Sequence, residues 1–303
     1  MSTVLCVCTY RRPDRLRELL LALPDLDQSQ DLSIVVADND EAGEGAAVCN
    51  ELPEDYPFQV HALIEPQPGI SFARNAVVNK ALTLNPELLA FLDDDETPEP
   101  AWLAELKRVQ REQNADAVGG PTLSVFPVGT AEHIKSNPYY GADMSMDDGT
   151  SCTLQAAGNF LIKAETIKLL QPEYFPPEFA HSGGEDLAFF TKLAKLGARM
   201  HWAAGAIVHE PVPENRLNPD WIKQRVINIA NSRVRVMQIL EPSPIKQLIR
   251  GLKTVALFCQ STLFSVISIV VPSWRKEAQM LRWKFWGKLT AHLRKVNVRG
   301  EGH

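Results

Sequence analysis

Leu88-Leu89-Ala90-Phe91-Leu92-Asp93-Asp94-Asp95-Glu96 is a run of five apolar residues followed directly by four carboxylates. An apolar run of this length, closed by Thr97-Pro98, predicts a β-strand that is buried on both faces. Open α/β sheets bind their ligands beyond the carboxyl ends of such strands. Because adjacent carboxylates repel one another, a hard divalent cation that bridges to a diphosphate is a suitable partner. A solvated acidic turn is the alternative, and the preceding buried strand favours the binding site.

The composition is that of an ordinary globular protein. Of 303 residues, 45% are hydrophobic and 22% are charged, which argues against a disordered chain. This length predicts one large α/β domain with an appendage. Five cysteines without disulfide-like spacing indicate a reducing compartment. Because Arg11 and Arg12 interrupt the N-terminal apolar run early, no signal peptide is expected.

The charge is distributed unevenly along the chain. Residues 1–245 carry 20 Lys and Arg against 35 Asp and Glu, whereas residues 246–303 carry 11 against 2. The formal net charge of −6 therefore hides an acidic part and a basic part, which must face different surroundings.

The first hundred residues alternate between strand and helix patterns. Strands are predicted at 3–10, 32–37 and, more weakly, 58–64, and helices are predicted from Pro13 and over 72–84. The β-α-β order implies parallel strands with right-handed crossovers. Polar groups then follow three strands at one edge of the sheet, at Thr9–Arg11, Asp38–Asp40 and Asp93–Asp95. This coincidence predicts a nucleotide-binding crevice.

The middle of the chain has fewer regular patterns. A helix is predicted over 102–113 and a loop or lid over 127–151, and a strand over 156–162 returns to the core. Gly183-Gly184 precedes an acidic helix start at Glu185-Asp186. One strand is predicted over 200–208, which leads to His209, and a long helix follows it.

The C-terminal part has a membrane-like pattern. Residues 254–274 contain no charged residue and have basic residues on both sides, and basic and aromatic residues alternate over 282–288. The length could span a bilayer, and a buried pair of C-terminal helices is the alternative. Basic flanks on both sides do not fit a simple span, so a monotopic or re-entrant segment is preferred.

Taken together, the motifs resemble glycosyltransferase family 2, in the branch that serves bacterial exopolysaccharide (succinoglycan-type) synthesis. The resemblance covers residues 1–235 and rests on five ordered motifs: Cys8-Thr9-Tyr10-Arg11-Arg12-Pro13, Asp38-Asn39, Gly69-Ile70-Ser71-Phe72-Ala73-Arg74-Asn75, Phe91-Leu92-Asp93-Asp94-Asp95-Glu96 and Gly184-Glu185-Asp186-Leu187-Ala188-Phe189-Phe190. It implies an α/β GT-A fold, in which helices flank a Rossmann-like mixed, mainly parallel sheet. The expected domains are a catalytic domain at 1–240 and a helical membrane-associating segment at 241–303.

The resemblance also implies roles for individual residues. The residues expected to bind the nucleotide-sugar donor are Thr9, Tyr10, Arg11, Asp38, Arg74, Asn75, Asp93 and Asp94. The expected nucleotide is UDP, because UDP-sugars are frequent donors in this family. The metal, Mn²⁺ or Mg²⁺, is assigned to Asp95 and His209. For the arginines after the first strand the alternative is a solvated helix start, for Arg74 and Asn75 it is helix capping, and for His209 it is a structural histidine.

The implied reaction inverts the anomeric configuration. Asp186 is the expected base, which deprotonates the acceptor hydroxyl, and Glu185 binds or orients the acceptor. The alternative for both is favourable charge at a helix N-terminus. The expected acceptor is a glycan or a lipid-linked glycan at the cytoplasmic face of the inner membrane, without nucleic acid. A nucleotidyltransferase and a non-catalytic, membrane-bound nucleotide-sugar-binding assembly protein are the competing hypotheses.

Overall fold

A computed structural model of the chain describes residues 2–27, 30–140 and 146–293. Its ten strands, in chain order, are β1 Thr3–Thr9, β2 Leu32–Asp38, β3 Gln59–Ile64, β4 Leu88–Asp93, β5 Thr97–Pro98, β6 Ala117–Gly119, β7 Thr122–Val125, β8 Phe160–Lys163, β9 Met200–Trp202 and β10 Val208–Pro211. The ten α-helices of the described residues are α1 Pro13–Ala22, α2 Glu44–Asn50, α3 Ile70–Leu82, α4 Trp102–Glu112, α5 Glu132–Lys135, α6 Ala164–Lys168, α7 Glu185–Lys195, α8 Pro219–Leu240, α9 Pro244–Val270 and α10 Arg275–His292.

Seven strands form the main sheet, in the order β3-β2-β1-β4-β8-β6-β9. Strands β3, β2, β1 and β4 are mutually parallel, and β8 runs antiparallel to both β4 and β6. A smaller sheet contains β5, β10 and β7. The predicted α/β architecture, a mixed and mainly parallel sheet flanked by helices, is therefore confirmed.

The acidic stretch follows a strand that is buried on both faces, as predicted. Along β4, Leu89 and Phe91 pack into one core with α3 and α7, whereas Leu88, Ala90 and Leu92 pack into the other with α1 and α4. Side chains of a strand alternate between its two faces, so an uninterrupted apolar run is what two buried faces require. The cores on the two faces fix β4, and its carboxylates emerge where it ends.

Two sequence-based expectations for the second half of the chain are wrong. The single strand predicted over 200–208 is two strands, β9 in the main sheet and β10 in the smaller one, separated by a turn at 203–207. The strand predicted from residue 156 begins at Phe160 as β8. In both places apolar residues occur outside the strands as well as in them. Ala203 and Ala206, for example, are buried in the turn at 203–207. Residues 141–145 of the predicted lid and the tail at 294–303 lie outside the described residues.

Contacts divide the chain into two compact units. The first contains Met1–Ala180 and Glu185–Val212, with both sheets, and the second contains His181–Gly184 and Pro213–His303. Helix α8 thus groups with the C-terminal helices, so this division falls earlier than residue 240. The proposed boundary of the catalytic domain at 240 stays a prediction.

The second unit is made of α8, α9 and α10. Helix α10 packs against both other helices, and Gly287 makes a close approach to α8 possible, because a Cβ at this position would meet the Ile227 carbonyl oxygen at 2.3 Å. Residues 181–184 are held to α8: Arg235 donates to Ser182 Oγ at 2.5 Å, and Ser232 Oγ donates to the Gly183 carbonyl at 3.2 Å. Helix α9 is long and apolar enough to cross a membrane by length and composition.

Candidate active site

The ends of three adjacent strands define the site. In the sheet β2, β1 and β4 are neighbours, with Thr9 opposite Asp38 and Cys8 opposite Asp93. Polar residues at the carboxyl ends of parallel strands therefore lie along one edge. The predicted juxtaposition of these three strand ends is confirmed.

Beyond β1 and β4, a hydroxyl and an arginine hold two of the acids. Thr9 Oγ1 donates a hydrogen bond of 2.7 Å to Asp94 Oδ2. Arg12 Nη1 contacts Asp94 Oδ1 at 3.2 Å and Asp95 Oδ2 at 3.0 Å. A single guanidinium thus compensates part of the negative charge of the acidic triplet.

Two buried acids of this cluster have raised pKa values, chiefly because they are buried and secondly because other carboxylates lie near them. Burial raises the pKa of Asp94 to about 7, although Arg12 and the Thr9 hydroxyl lower it. Burial also raises the pKa of Glu96, and Asp93, Glu210 and Asp95 add to the increase. Carboxylates this close together favour a cation in their midst.

Arg74 joins a second set of acids. Its guanidinium donates to Glu185 Oε1 at 3.1 Å, lies 3.4 Å from Asp93 Oδ1 and also contacts Asp186. Burial opposes the charged form of Arg74, but the charges of Asp93 and Glu185 and the hydrogen bond with Asp93 outweigh it, so the pKa of Arg74 is raised. This arginine links an acid of the β4 end to the acidic pair that begins α7.

The acidic pair has two different environments. The Glu185 side chain is 2% exposed, whereas that of Asp186 is 25% exposed. Glu185 Oε2 is buried and has no hydrogen-bond partner among the described residues. Both acids lie in the first turn of α7, where the helix dipole stabilises negative charge. Asp186 is therefore the one that a substrate in solution can reach.

The carboxylate of Asp38 is fixed by backbone amides. It accepts hydrogen bonds from the amides of Asp40 at 3.1 Å and Ala46 at 3.0 Å. Arg11 Nε donates to Asp40 at 3.0 Å, and its guanidinium lies 4.9 Å from the centre of the Tyr10 ring. Arg11 has a φ of 54°, which turns the chain sharply after β1. Tyr10, Arg11 and Asp38 thus share the β1–β2 side of the edge.

Asn75 and His209 have partners outside these two clusters. The Asn75 amide donates to the Phe175 carbonyl at 2.7 Å and accepts from the Tyr174 and Phe175 amides, so it holds the loop before Pro176. His209 Nε2 lies 2.9 Å from Glu99 Oε1. The assignments of Asn75 to the nucleotide and of His209 to a metal stay predictions.

Comparison with known proteins identifies the family. The sequence model of Glycosyl transferase family 2 matches residues 4–173, more than half of the chain, including both acidic strand ends and Arg74. This chain is a family 2 glycosyltransferase. Among curated proteins, it is 32% identical to the succinoglycan biosynthesis protein ExoM of Rhizobium meliloti (strain 1021) over 237 residues, 76% of this chain and 74% of that protein.

Solved structures show that the glycosyltransferase has a GT-A-like fold. The mannosyltransferase PcManGT from Pyrobaculum calidifontis, solved with GDP-Man and Mn²⁺, superposes with a TM-score of 0.65 over 97% of this chain and 87% of that chain, at 16% identity. S. aureus TarS 1–349, solved with UDP, superposes with a TM-score of 0.53 over 100% of this chain and 98% of that chain, at 14% identity. At these identities the likeness supports the fold and not the substrates.

The oxygen ligands at the β4 end of the glycosyltransferase fit a hard divalent cation. Oxygen ligands, carboxylates among them, are the ones that Mg²⁺ and Mn²⁺ prefer, and Asp93, Asp94 and Asp95 supply them at the end of β4. Among the described residues, no group of three His, Cys, Asp or Glu side chains is arranged to hold a metal ion. Mg²⁺ sites commonly use one or two carboxylates, with waters and substrate phosphates as the other ligands. The residues present fit that type of site.

Three residues of this network had no individual role predicted from the sequence: Arg12, Glu96 and Glu99. Arg12 was considered only together with Arg11, as a pair suited to an anion site or to a solvated helix start, yet it is the one that contacts Asp94 and Asp95. Glu96 Oε2 accepts a hydrogen bond from the Asp93 backbone amide at 3.0 Å, and Glu99 Oε1 contacts His209 Nε2. Arg12 lies three residues after the end of β1, next to a strand that ends in carboxylates. This position could have predicted its contact with the acids.

Proposed function

We propose that this glycosyltransferase transfers a sugar from a nucleotide-sugar donor to a hydroxyl of a lipid-linked or polysaccharide acceptor, with inversion at the anomeric carbon. The observation that carries the proposal is the Arg74 network. It connects Asp93, at the strand edge where the donor is expected, with Glu185 and Asp186. A donor-side acid and the candidate base therefore share one buried cation.

Asp186 is the base in this proposal. Its carboxylate is partly exposed, and its contact with Arg74 and its place at the start of α7 both favour the ionised form. An ionised carboxylate accepts the hydroxyl proton as the oxygen attacks the anomeric carbon opposite the departing diphosphate. Glu185, which is buried beside Asp186 and shares Arg74 with it, orients the acceptor indirectly by positioning Asp186.

The β1 and β4 ends hold the donor. Thr9 and Arg12 fix the acidic loop, Asp38 accepts from the nucleotide base, and Arg12 lies where it can contact a diphosphate. Asp95 would hold Mn²⁺ or Mg²⁺, with His209 as the second proposed ligand. When bound, the metal neutralises negative charge on the leaving nucleoside diphosphate.

The proposed biological setting is based on the similarity to ExoM and on the apolar helix α9 of the C-terminal unit. The ExoM name refers to succinoglycan biosynthesis, and we extend exopolysaccharide synthesis to this chain. Helix α9 has a mean hydropathy of 1.5 over its most apolar 18-residue window, and 11% of that window is buried. We place the enzyme at the cytoplasmic face of the inner membrane, held there as a peripheral or monotopic protein.

One assay tests the proposal. The purified full chain is incubated with Mn²⁺, membrane lipid extract and a panel of UDP-, GDP- and dTDP-sugars, with the UDP-sugars tested first, and free nucleoside diphosphate is measured. The proposal expects release with at least one donor, and loss of release on chelation. Release of pyrophosphate from a nucleoside triphosphate would instead support a nucleotidyltransferase, and binding without turnover would support an assembly protein.

A further inference from the structure

Helix α9 has an unusual distribution of side chains, because the residues that it buries are polar and much of its apolar surface is exposed. The buried residues of α9 are Thr254 and Ser261. By contrast Leu248, Leu252 and Val255 are 65%, 60% and 59% exposed. A water-facing helix normally shows the opposite pattern, with its apolar stripe towards the core. The exposed stripe of α9 is therefore suited to an apolar environment.

This stripe forms one wall of an apolar groove. The groove lies between α9 and α10, has a volume of about 650 Å³ and is lined chiefly by Leu248, Leu252, Val255, Phe258, Phe285 and Leu289. The Phe258 and Phe285 rings pack at 5.0 Å between centroids. An exposed apolar surface of this kind marks an interaction site rather than ordinary protein surface.

Cations lie along the same turns of α9 and α10. Lys253 follows Leu252, and Lys284 and Lys288 each precede an apolar residue of the groove. Helix α10 packs against both α8 and α9, which places Arg233 of α8, Lys253 of α9 and Lys284 of α10 around Lys288. Burial lowers the pKa of Lys288, and the charges of these three residues lower it further. None of the three lysines forms an ion pair with a described residue, although many other lysines and arginines of the chain do.

We propose that these three lysines and Arg233, here called the basic cluster, bind the phosphate of an anionic phospholipid whose acyl chain lies in the α9–α10 groove. The inference rests on the proposed membrane association and makes it specific. It assigns the electrostatic part of membrane binding to the basic cluster. It also requires that the membrane leaflet contain negatively charged lipids.

Two observations favour a phospholipid over other occupants. A phosphate complements four clustered cations, and hydrocarbon complements the groove beside them. A second copy of this chain is disfavoured, because residues 246–303 carry 11 basic and 2 acidic residues and two such surfaces repel each other. The groove has apolar walls, which a nucleic acid backbone would not fill.

Vesicle sedimentation with the full chain tests the inference. Vesicles of phosphatidylcholine alone are compared with vesicles that contain about 30 mol% phosphatidylglycerol. The wild-type chain should bind the anionic vesicles more tightly, and added salt should weaken that binding. Replacing the three lysines together by glutamine (Lys253→Gln, Lys284→Gln, Lys288→Gln) should weaken it by about 100-fold, because each basic residue near an anionic surface contributes about fivefold.

Two control variants separate the cluster from net charge and from misfolding. Lys80→Gln, Lys168→Gln and Lys223→Gln together remove the same charge elsewhere and should leave vesicle binding within about twofold of wild type. Replacing the three cluster lysines by arginine should retain binding. Replacing Leu252 and Val255 by asparagine should weaken binding to both vesicle types.

Each contrary result has a distinct meaning. If the glutamine triple variant binds like wild type, the basic cluster is not the site. If the wild-type chain binds neutral and anionic vesicles equally, the phosphate contact is overturned but membrane association stands. If it binds neither, both fail, while nucleoside diphosphate release in the same samples reports on the glycosyltransferase reaction separately. Stronger binding to a dilute polyprenyl diphosphate than to phosphatidylglycerol, or dimerisation without lipid, would assign the groove to another occupant.

Discussion

The Arg74 network gives the most demanding prediction about stability. In Arg74→Met the buried guanidinium is replaced by an apolar side chain of similar length, and three carboxylates lose their shared cation. Glu185 is 1% exposed, so its charge cannot be solvated by water in the folded state. Breaking a buried ion pair from one side costs about 3–5 kcal/mol, and we expect the free energy of unfolding at neutral pH to fall by that amount.

Arg108 provides a matched control, because it also contacts three carboxylates. Its partners are Glu105, Glu112 and Asp148, but its side chain is 31% exposed and lies at the surface. Ion pairs of this kind contribute about 0–1 kcal/mol, so Arg108→Met should change the free energy of unfolding by much less than Arg74→Met.

The measurement is urea unfolding of the full chain, followed by tryptophan fluorescence, for both variants and for Arg74→Met combined with Glu185→Gln. Removing the uncompensated charge in the double variant should recover about 1–3 kcal/mol of the loss. If Arg74→Met is no more destabilising than Arg108→Met, or if the second substitution makes it worse, the network does not act as a buried charge cluster.

Four further predictions follow from the strand edge. In the metal-free protein, folded Asp94 keeps its proton up to pH about 7, whereas the unfolded chain releases it near pH 4. The free energy of unfolding should therefore fall by about 1.4 kcal/mol for each unit that the pH rises from 4 to 7, and Asp94→Asn should flatten this part of the profile of thermal stability against pH. Arg12→Ala should weaken donor binding, measured by calorimetry, about tenfold or more through loss of a charged contact. Arg15 is an exposed arginine in the first turn of the helix that follows, and Arg15→Ala should leave donor binding unchanged. Asp95→Ala should abolish the response of turnover to added Mn²⁺, and a variant that still responds normally would remove Asp95 from the metal site. Gly158→Ala should lower turnover, because its Cβ would lie 2.7 Å from Glu96 Oε1 and 3.1 Å from Asp93 Oδ2, and wild-type rates would show that the loop adapts.

The fold was predictable because its signals are local. The apolar run at 88–92 and the strand patterns before it repeat at short spacing, and the β-α-β order then determines that the strand ends share an edge. The carboxylates at 93–95 were found for this reason. The start of α7 at Glu185 was also predictable from the two preceding glycines, which have φ values of 71° and 107°.

The connections within the site were not predictable in the same way. Arg12 and Asp94 are 82 residues apart, and Arg74 and Glu185 are 111 apart, so no periodicity relates them. The amide of Asn75 could equally serve a ligand or a loop, and only the position of Phe175 shows which backbone groups it contacts. The division of residues 200–208 between two sheets depends on tertiary packing, because apolar residues fill both the strands and the turn.

The most direct test of the account is the turnover of Asp186→Asn at saturating donor and acceptor, with donor affinity measured on the same preparation. The account predicts that kcat falls by about 100-fold or more through loss of the base, while the dissociation constant of the donor changes by no more than about threefold. Turnover at the wild-type rate, or loss of activity that is explained entirely by loss of donor binding, would contradict the assignment of Asp186 as the base.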